Sequence, residues 1–147
     1  DTVTDMMLLY HVNLGYPMLS EDMVLDVNSV NVSAHTEIAI ANLDTWQKML
    51  TPQPQFAEQC YFHRMSGQGI AKVYNPSIRK GMEMTFDTAQ LPHFTQWKQM
   101  GQTDYVLGLE PGTCNPMGRI RAREAGQMLP LQPGEKKEFK LQFTFFE

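Results

Sequence analysis

Cysteine is scarce. The 147 residues hold two, Cys60 and Cys114, far apart and with no CxxC spacing. One disulfide is permitted and none is required, so a reducing cytoplasm is the expected compartment. No apolar run approaches the ~20 residues that a membrane helix needs, so no membrane span is expected. Basic residues do not dominate: Lys+Arg number 12 against 16 Asp+Glu, for a formal net charge of -4. That leaves no electrostatic case for nucleic acid as a partner. The opening residues, Asp1 to Asp5, are polar and acidic and do not read as a secretory signal. Repeats and low-complexity tracts are absent, and helical periodicity is thin. What remains is ordinary for a folded domain: 42% hydrophobic and 19% charged residues, at a length that fits one domain with a real core. The 11 methionines read as adaptable core filler.

The recurring signal is alternation with a period of two. Phe139, Leu141, Phe143 and Phe145 alternate with Lys140, Gln142 and Thr144, which places four apolar side chains on one face of a strand. Met82, Met84 and Phe86 oppose Glu83 and Thr85 in the same way, and 24–32 does so less cleanly. Segments 57–65 and 69–75 read as strands around a turn at Gly67. Segment 105–109 reads as a short apolar strand, and 6–12 as a strand buried on both faces. Asn42 or Asp44 can cap a short helix through Trp46, Met49 and Leu50, ended at Thr51-Pro52, and 119–125 can form a turn or two. Short strands punctuated by Gly and Pro turns predict an all-β, mainly antiparallel sandwich or barrel.

Two segments set an ionisable group where a strand meets a turn. His11 ends an apolar run that Gly15 and Pro17 break, and Glu110 stands between Leu109 and Pro111 just before Gly112. Apolar flanks desolvate a carboxylate and strengthen it as a base, and a histidine moves protons near neutral pH. One of each, facing a common cleft, makes a general acid/base pair. Spacing alone does not bring them together, and a lone strand-end histidine is more often structural. No two of His11, His35, His63 and His93 are spaced as a ligand pair, so no metal site is expected. Side chains suited to stacking on or hydrogen-bonding a sugar are Asn13, Tyr16, Glu58, Gln59, His63, Gln96, Trp97 and Lys98. On a strand, Glu58 and Gln59 point to opposite faces and cannot share one pocket without a bulge. Arg119 and Arg123 share a helix face with Arg121 nearby. They can bind an anionic substituent, or, more commonly, form a solvated basic turn offset by Glu124.

Four stretches carry a family resemblance, in order and over nearly the whole chain. They are Leu8-Leu9-Tyr10-His11-Val12-Asn13-Leu14-Gly15-Tyr16-Pro17, Leu91 to Lys98, Asp104 to Thr113, and Arg123 to Gly126 followed by Leu131, Pro133, Gly134 and Glu135. The sequence resembles the aldose 1-epimerase (galactose mutarotase-like) family, in its DUF4432 branch. That resemblance implies a mutarotase-like β-supersandwich, cofactor-free and metal-free, which interconverts the α and β anomers of a free monosaccharide. It implies His11 as general acid and Glu110 as general base, with Glu58 the counterpart of a sugar-binding carboxylate. Only Val12 separates His11 from Asn13-Leu14, and Pro111-Gly112-Thr113 follows the base. These differ from typical galactose mutarotases and bear on the sugar more than on the reaction type.

In the family the catalytic histidine lies near the middle of the chain, so residues 1–147 resemble the C-terminal portion of a single domain. The N-terminal half as a separate chain is then an expected partner beside the sugar, and homo-oligomerisation is left open. A half sandwich exposes strand edges and an apolar face, so the expectation is that 1–147 does not fold stably alone. Two alternatives stand beside the enzyme: a non-catalytic carbohydrate-binding protein on the same fold, and an interaction module that docks a partner chain.

Overall fold

A computed structural model describes residues 2–147, and every named strand pair in it is antiparallel. A two-stranded sheet joins β1 (Thr4–Met6) to β10 (Leu129–Leu131). A five-stranded sheet runs in the order β2 (Val12–Leu14), β9 (Tyr105–Gly112), β8 (His93–Met100), β5 (Gln59–Arg64), β4 (Asn31–Ala34). A four-stranded sheet runs β11 (Leu141–Phe146), β7 (Lys80–Asp87), β6 (Gln68–Asn75), β3 (Val24–Val27). Helices are short: α1 (Glu37–Ala41), a 3-10 turn at Leu43–Thr45, and α2 (Arg119–Glu124).

The alternation seen in the sequence builds the core. Met82, Met84 and Phe86 of β7 are buried beside Ala71 and Val73 of β6 and Leu25 and Val27 of β3. From the five-stranded sheet, Phe94, Met100, Leu107 and Leu109 join the same cluster. Phe86 stacks on Phe94 at 5.8 Å between ring centroids and ties the two sheets together. Each of these side chains larger than alanine contributes about 1.5–3 kcal/mol through burial. Six of the 11 methionines are buried, as core filler should be. Both cysteines are free thiols. No helix among the described residues is long and apolar enough to cross a membrane.

Several details differ from the sequence reading. Segment 6–12 is not one strand buried on both faces: β1 and β2 flank an irregular stretch with an isolated bridge from Leu9 to Gly112, and its side chains are half-buried or exposed. Two strands, β3 and β4, occupy 24–34. After Asn42 only the 3-10 turn Leu43–Thr45 forms, short of Trp46, Met49 and Leu50 and without a side-chain cap, and the α-helix lies before Asn42. Thr36 caps α1 through a hydrogen bond from the Ala39 amide, and Asn42 is the C-cap. β8 is a strand that the alternation does not predict, because Gln96 and Lys98 occupy inward positions and mask it. The apolar row around β11 is interior only at its start: Phe139 and Leu141 pack against the core, whereas Phe143 is 38% and Phe145 74% exposed.

Candidate active site

The register of the five-stranded sheet brings His11 to Glu110. Val12 pairs with Leu109, Asn13 with Gly108 and Leu14 with Leu107, and the bridge from Leu9 to Gly112 continues the same register. His11 therefore stands directly opposite Glu110, across 99 positions of sequence. The hydrogen bond from the Tyr10 amide to the Pro111 carbonyl, 3.0 Å, holds the strands together beside the pair. Nε2 of His11 lies 3.1 Å from Oε1 of Glu110. The histidine side chain is 47% exposed and the carboxylate 3%, so one group meets solvent and the other lies beneath it.

Neighbours set the chemistry of both groups. Nδ1 of His11 donates to Oδ1 of Asn13 at 2.7 Å, which aims Nε2 at the carboxylate. The His11 ring meets Trp97 edge-on at 5.5 Å, and the Trp97 indole N–H donates to Glu58 at 2.8 Å. Burial raises the pKa of Glu110, and the positive charge available on His11 pulls it back in part. Burial, together with the Glu58 and Glu110 carboxylates, pushes the Cys60 thiol up to about 11. Both carboxylates therefore act on the same patch of sheet. Oε1 of Glu110 takes no aligned hydrogen bond from the protein, and neither does Oγ1 of Thr95, its partner on β8.

Gly108 makes the arrangement fit. A Cβ there would collide with Oε1 of Glu110 and come 3.1 Å from Cβ of Trp97. Gly112 does the same one turn of the pleat further on, where a Cβ would lie 2.9 Å from the Leu8 carbonyl oxygen. Sequence reasoning missed Gly108 and Thr95. A glycine inside an apolar strand was the available signal for the first; Thr95 gave none.

The eight sugar-lining candidates divide by strand parity. Asn13, Glu58 and Trp97 share the outer face with His11 and Glu110. Gln59, His63, Gln96 and Lys98 are corrections: they lie on the inner face, buried, with Tyr61 among them. Gln96 donates to the Trp46 carbonyl at 2.9 Å and Lys98 to the Thr45 carbonyl at 3.2 Å. His63 donates through Nε2 to Oε1 of Gln96 at 3.2 Å and contacts Oγ of Ser29 through Nδ1 at 2.7 Å. The Tyr61 hydroxyl donates to Gln59 at 2.7 Å. These side chains seat the 42–50 segment on the sheet. Tyr16 stands 82% exposed in the turn after β2. Among the described residues no three His, Cys, Asp or Glu side chains converge as metal ligands.

The architecture is an all-β antiparallel fold similar to that of an aldose 1-epimerase. A crystal structure from Klebsiella pneumoniae, described as a "putative aldose 1-epimerase", superposes with a TM-score of 0.92 at 32% identity. The match covers 99% of this chain and 40% of that one, so the chain spans well under half the length of the solved structure. No curated protein matches the chain. Residues 1–145 match the model of the DUF4432 family, a domain of unknown function, and the chain belongs to that family.

Proposed function

We propose that this chain carries the acid/base pair of an aldose 1-epimerase, which interconverts the α and β anomers of a free monosaccharide. One observation carries the reading: a buried, hydrogen-bond-poor carboxylate lies 3.1 Å from the imidazole of its cross-strand partner. The two oxygens that must exchange protons in ring opening, the C1 hydroxyl and the ring oxygen, sit on the same carbon. An acid and a base that serve them must therefore be immediate neighbours, as His11 and Glu110 are.

Glu110 takes the proton of the C1 hydroxyl as the C1–O5 bond breaks, and His11, protonated at Nε2, gives its proton to the departing ring oxygen. The products are an open-chain aldehyde, a neutral imidazole and a carboxylic acid. Rotation about C1–C2 presents the other carbonyl face. Closure then reverses both transfers and restores the pair without net consumption of protons. Asn13 keeps the proton-transferring nitrogen aimed inward, and burial makes Glu110 the stronger base. Trp97 offers an apolar surface next to the pair, and Glu58 an acceptor for a sugar hydroxyl. Each proton-transfer partner is worth about 10²- to 10⁴-fold in rate.

The solved relative's similarity supports the reading at the level of fold. Activity belongs to a domain of which this chain matches 40% of one representative, so the assay uses the protein in its longest natural form. Polarimetry on a panel of aldoses tests it, with accelerated mutarotation of at least one sugar expected. Sugar binding with no acceleration of any aldose would overturn it in favour of a binding-only protein.

A further inference from the structure

Glu110 has a polar neighbour on each side. The cross-strand row through it runs from His11 beside β2 to Glu110 on β9, Thr95 on β8 and Phe62 on β5. Residues opposed in this way project from the same face. Thr95 is 1% exposed, and its hydroxyl makes no aligned hydrogen bond with the protein. Valine would fill the same space without burying a hydroxyl, so packing does not account for a threonine here.

The surroundings leave that hydroxyl one strong acceptor. Phe62, on its other side, is apolar. Along β8 on the same face, Trp97 gives its indole N–H to Glu58, and His93 is hydrogen-bonded to Asn115. On β9 the positions flanking Glu110 are Gly108 and Gly112, which carry no side chains. Directly opposed residues of neighbouring strands stand about 5 Å apart at Cβ, so a turn of the carboxylate or of the Thr95 side chain brings the two within hydrogen-bond reach.

The proposed reaction calls for a second donor at this carboxylate. Oε1 of Glu110 lies over Gly108, 3.1 Å from Nε2 of His11. That nitrogen carries one hydrogen at most. When it turns to the ring oxygen it releases Oε1, and burial then favours the carboxylic acid, which cannot act as a base. A donor that replaces His11 keeps the carboxylate ionised and fixes one oxygen, which leaves the other for the C1 hydroxyl.

We propose that Thr95 is a positioning residue that takes over the Glu110 carboxylate from His11 once sugar is bound, donating a hydrogen bond through Oγ1. The proposal rests on the epimerase reading and adds a third member to the row that performs it. Thr95 transfers no proton. Its hydrogen stays on Oγ1, and Glu110 exchanges protons with the sugar alone.

The pH dependence of anomerisation, measured over the aldose panel for wild type, Thr95→Val and Thr95→Ser in the longest natural form, tests this. The acid limb of kcat reports the base in the sugar complex, and that of kcat/KM reports it in the free protein. Thr95→Val should move the acid limb of kcat to higher pH and leave that of kcat/KM in place, because the bond forms only after the sugar draws His11 away. On the acid flank kcat should fall roughly 10- to 100-fold, the worth of one hydrogen bond to a charged group. Thr95→Ser keeps the hydroxyl and should hold the wild-type limb. The titratable and charged groups facing Glu110 are His11, Glu58, Cys60 and Arg64 at β5, and His93 on β8. All are common to the three proteins, so none of them produces the difference. A kcat limb that stays in place in Thr95→Val, or moves equally in Thr95→Ser, overturns the role, and a lowered Tm with an unmoved limb leaves Thr95 a structural residue. A wild type that anomerises no aldose overturns the epimerase reading and this role with it, whereas an active wild type matched by Thr95→Val overturns the role alone.

Discussion

The two faces of the five-stranded sheet are both rich in polar side chains, yet they use them in opposite ways. On the inner face Gln59, Tyr61, His63, Gln96 and Lys98 are buried, and each makes a hydrogen bond to the protein. On the outer face Thr95, Gln99 and Glu110 each keep a buried oxygen that takes no aligned hydrogen bond from the protein. A satisfied buried polar group holds structure, whereas an unsatisfied one carries a desolvation cost of about 1–3 kcal/mol that a folding role does not explain. Polarity marks both faces, whereas the buried oxygens without an aligned partner lie on the outer one, where the proposed acid/base pair stands.

Substitutions on the two faces should therefore separate activity from stability. The largest effect is expected at His11. His11→Gln removes the proton donor and should cut the anomerisation rate by about 10²- to 10⁴-fold, with little change in Tm, since that side chain is half exposed. On the inner face His63→Leu should do the reverse. It strands Ser29 and Gln96 and should cost about 2–4 kcal/mol in denaturant unfolding, while the rate per folded molecule holds.

The same histidine provides a pH test. Burial lowers His63 to about 4, below its ordinary value of about 6.5. Between those values the unfolded chain binds more protons than the folded one, so wild-type stability should fall as pH drops through that window. His63→Leu should flatten this dependence, and an identical slope in both proteins would break the assignment.

Smaller effects sharpen the boundary between the faces. Gly108→Ala intrudes on Glu110 and Trp97, and should cost about 1–3 kcal/mol along with most of the activity. Lys98→Met is the mildest. It replaces a buried ammonium held by one carbonyl, and should change stability by under about 1 kcal/mol at neutral pH without altering KM. A raised KM in Lys98→Met would return that residue to the sugar site.

The sequence displayed this architecture unevenly. Met82, Met84 and Phe86 announced their strand because the inward positions are all apolar. β8 stayed hidden because Gln96 and Lys98 take inward positions between Phe94 and Met100. That omission had a consequence for the site: with β8 assigned as a strand, parity alone separates Trp97 from Gln96 and Lys98. Glu58 and Gln59 do face opposite ways, as alternation required. The meeting of His11 with Glu110 depends on a pairing register across most of the chain, which no local pattern encodes. The family resemblance nominated the two residues, and the register shows that they are neighbours. Phe145 misled for a different reason: period-two patterning identifies a face and does not say what covers it.

Glu110 is where function and stability should pull apart most plainly. Its raised pKa means that the folded state binds more protons than the unfolded one just above the ordinary carboxylate value of about 4.3, so stability declines as pH rises through that range. Glu110→Gln should abolish that decline and unfold no earlier than the wild type at neutral pH. The decisive readout is saturation transfer between the anomeric protons of a responsive sugar, recorded for wild type and Glu110→Gln at matched folded concentration. A loss of about 100-fold or more in the variant is expected; anomeric exchange that continues at the wild-type rate would contradict the acid/base pair.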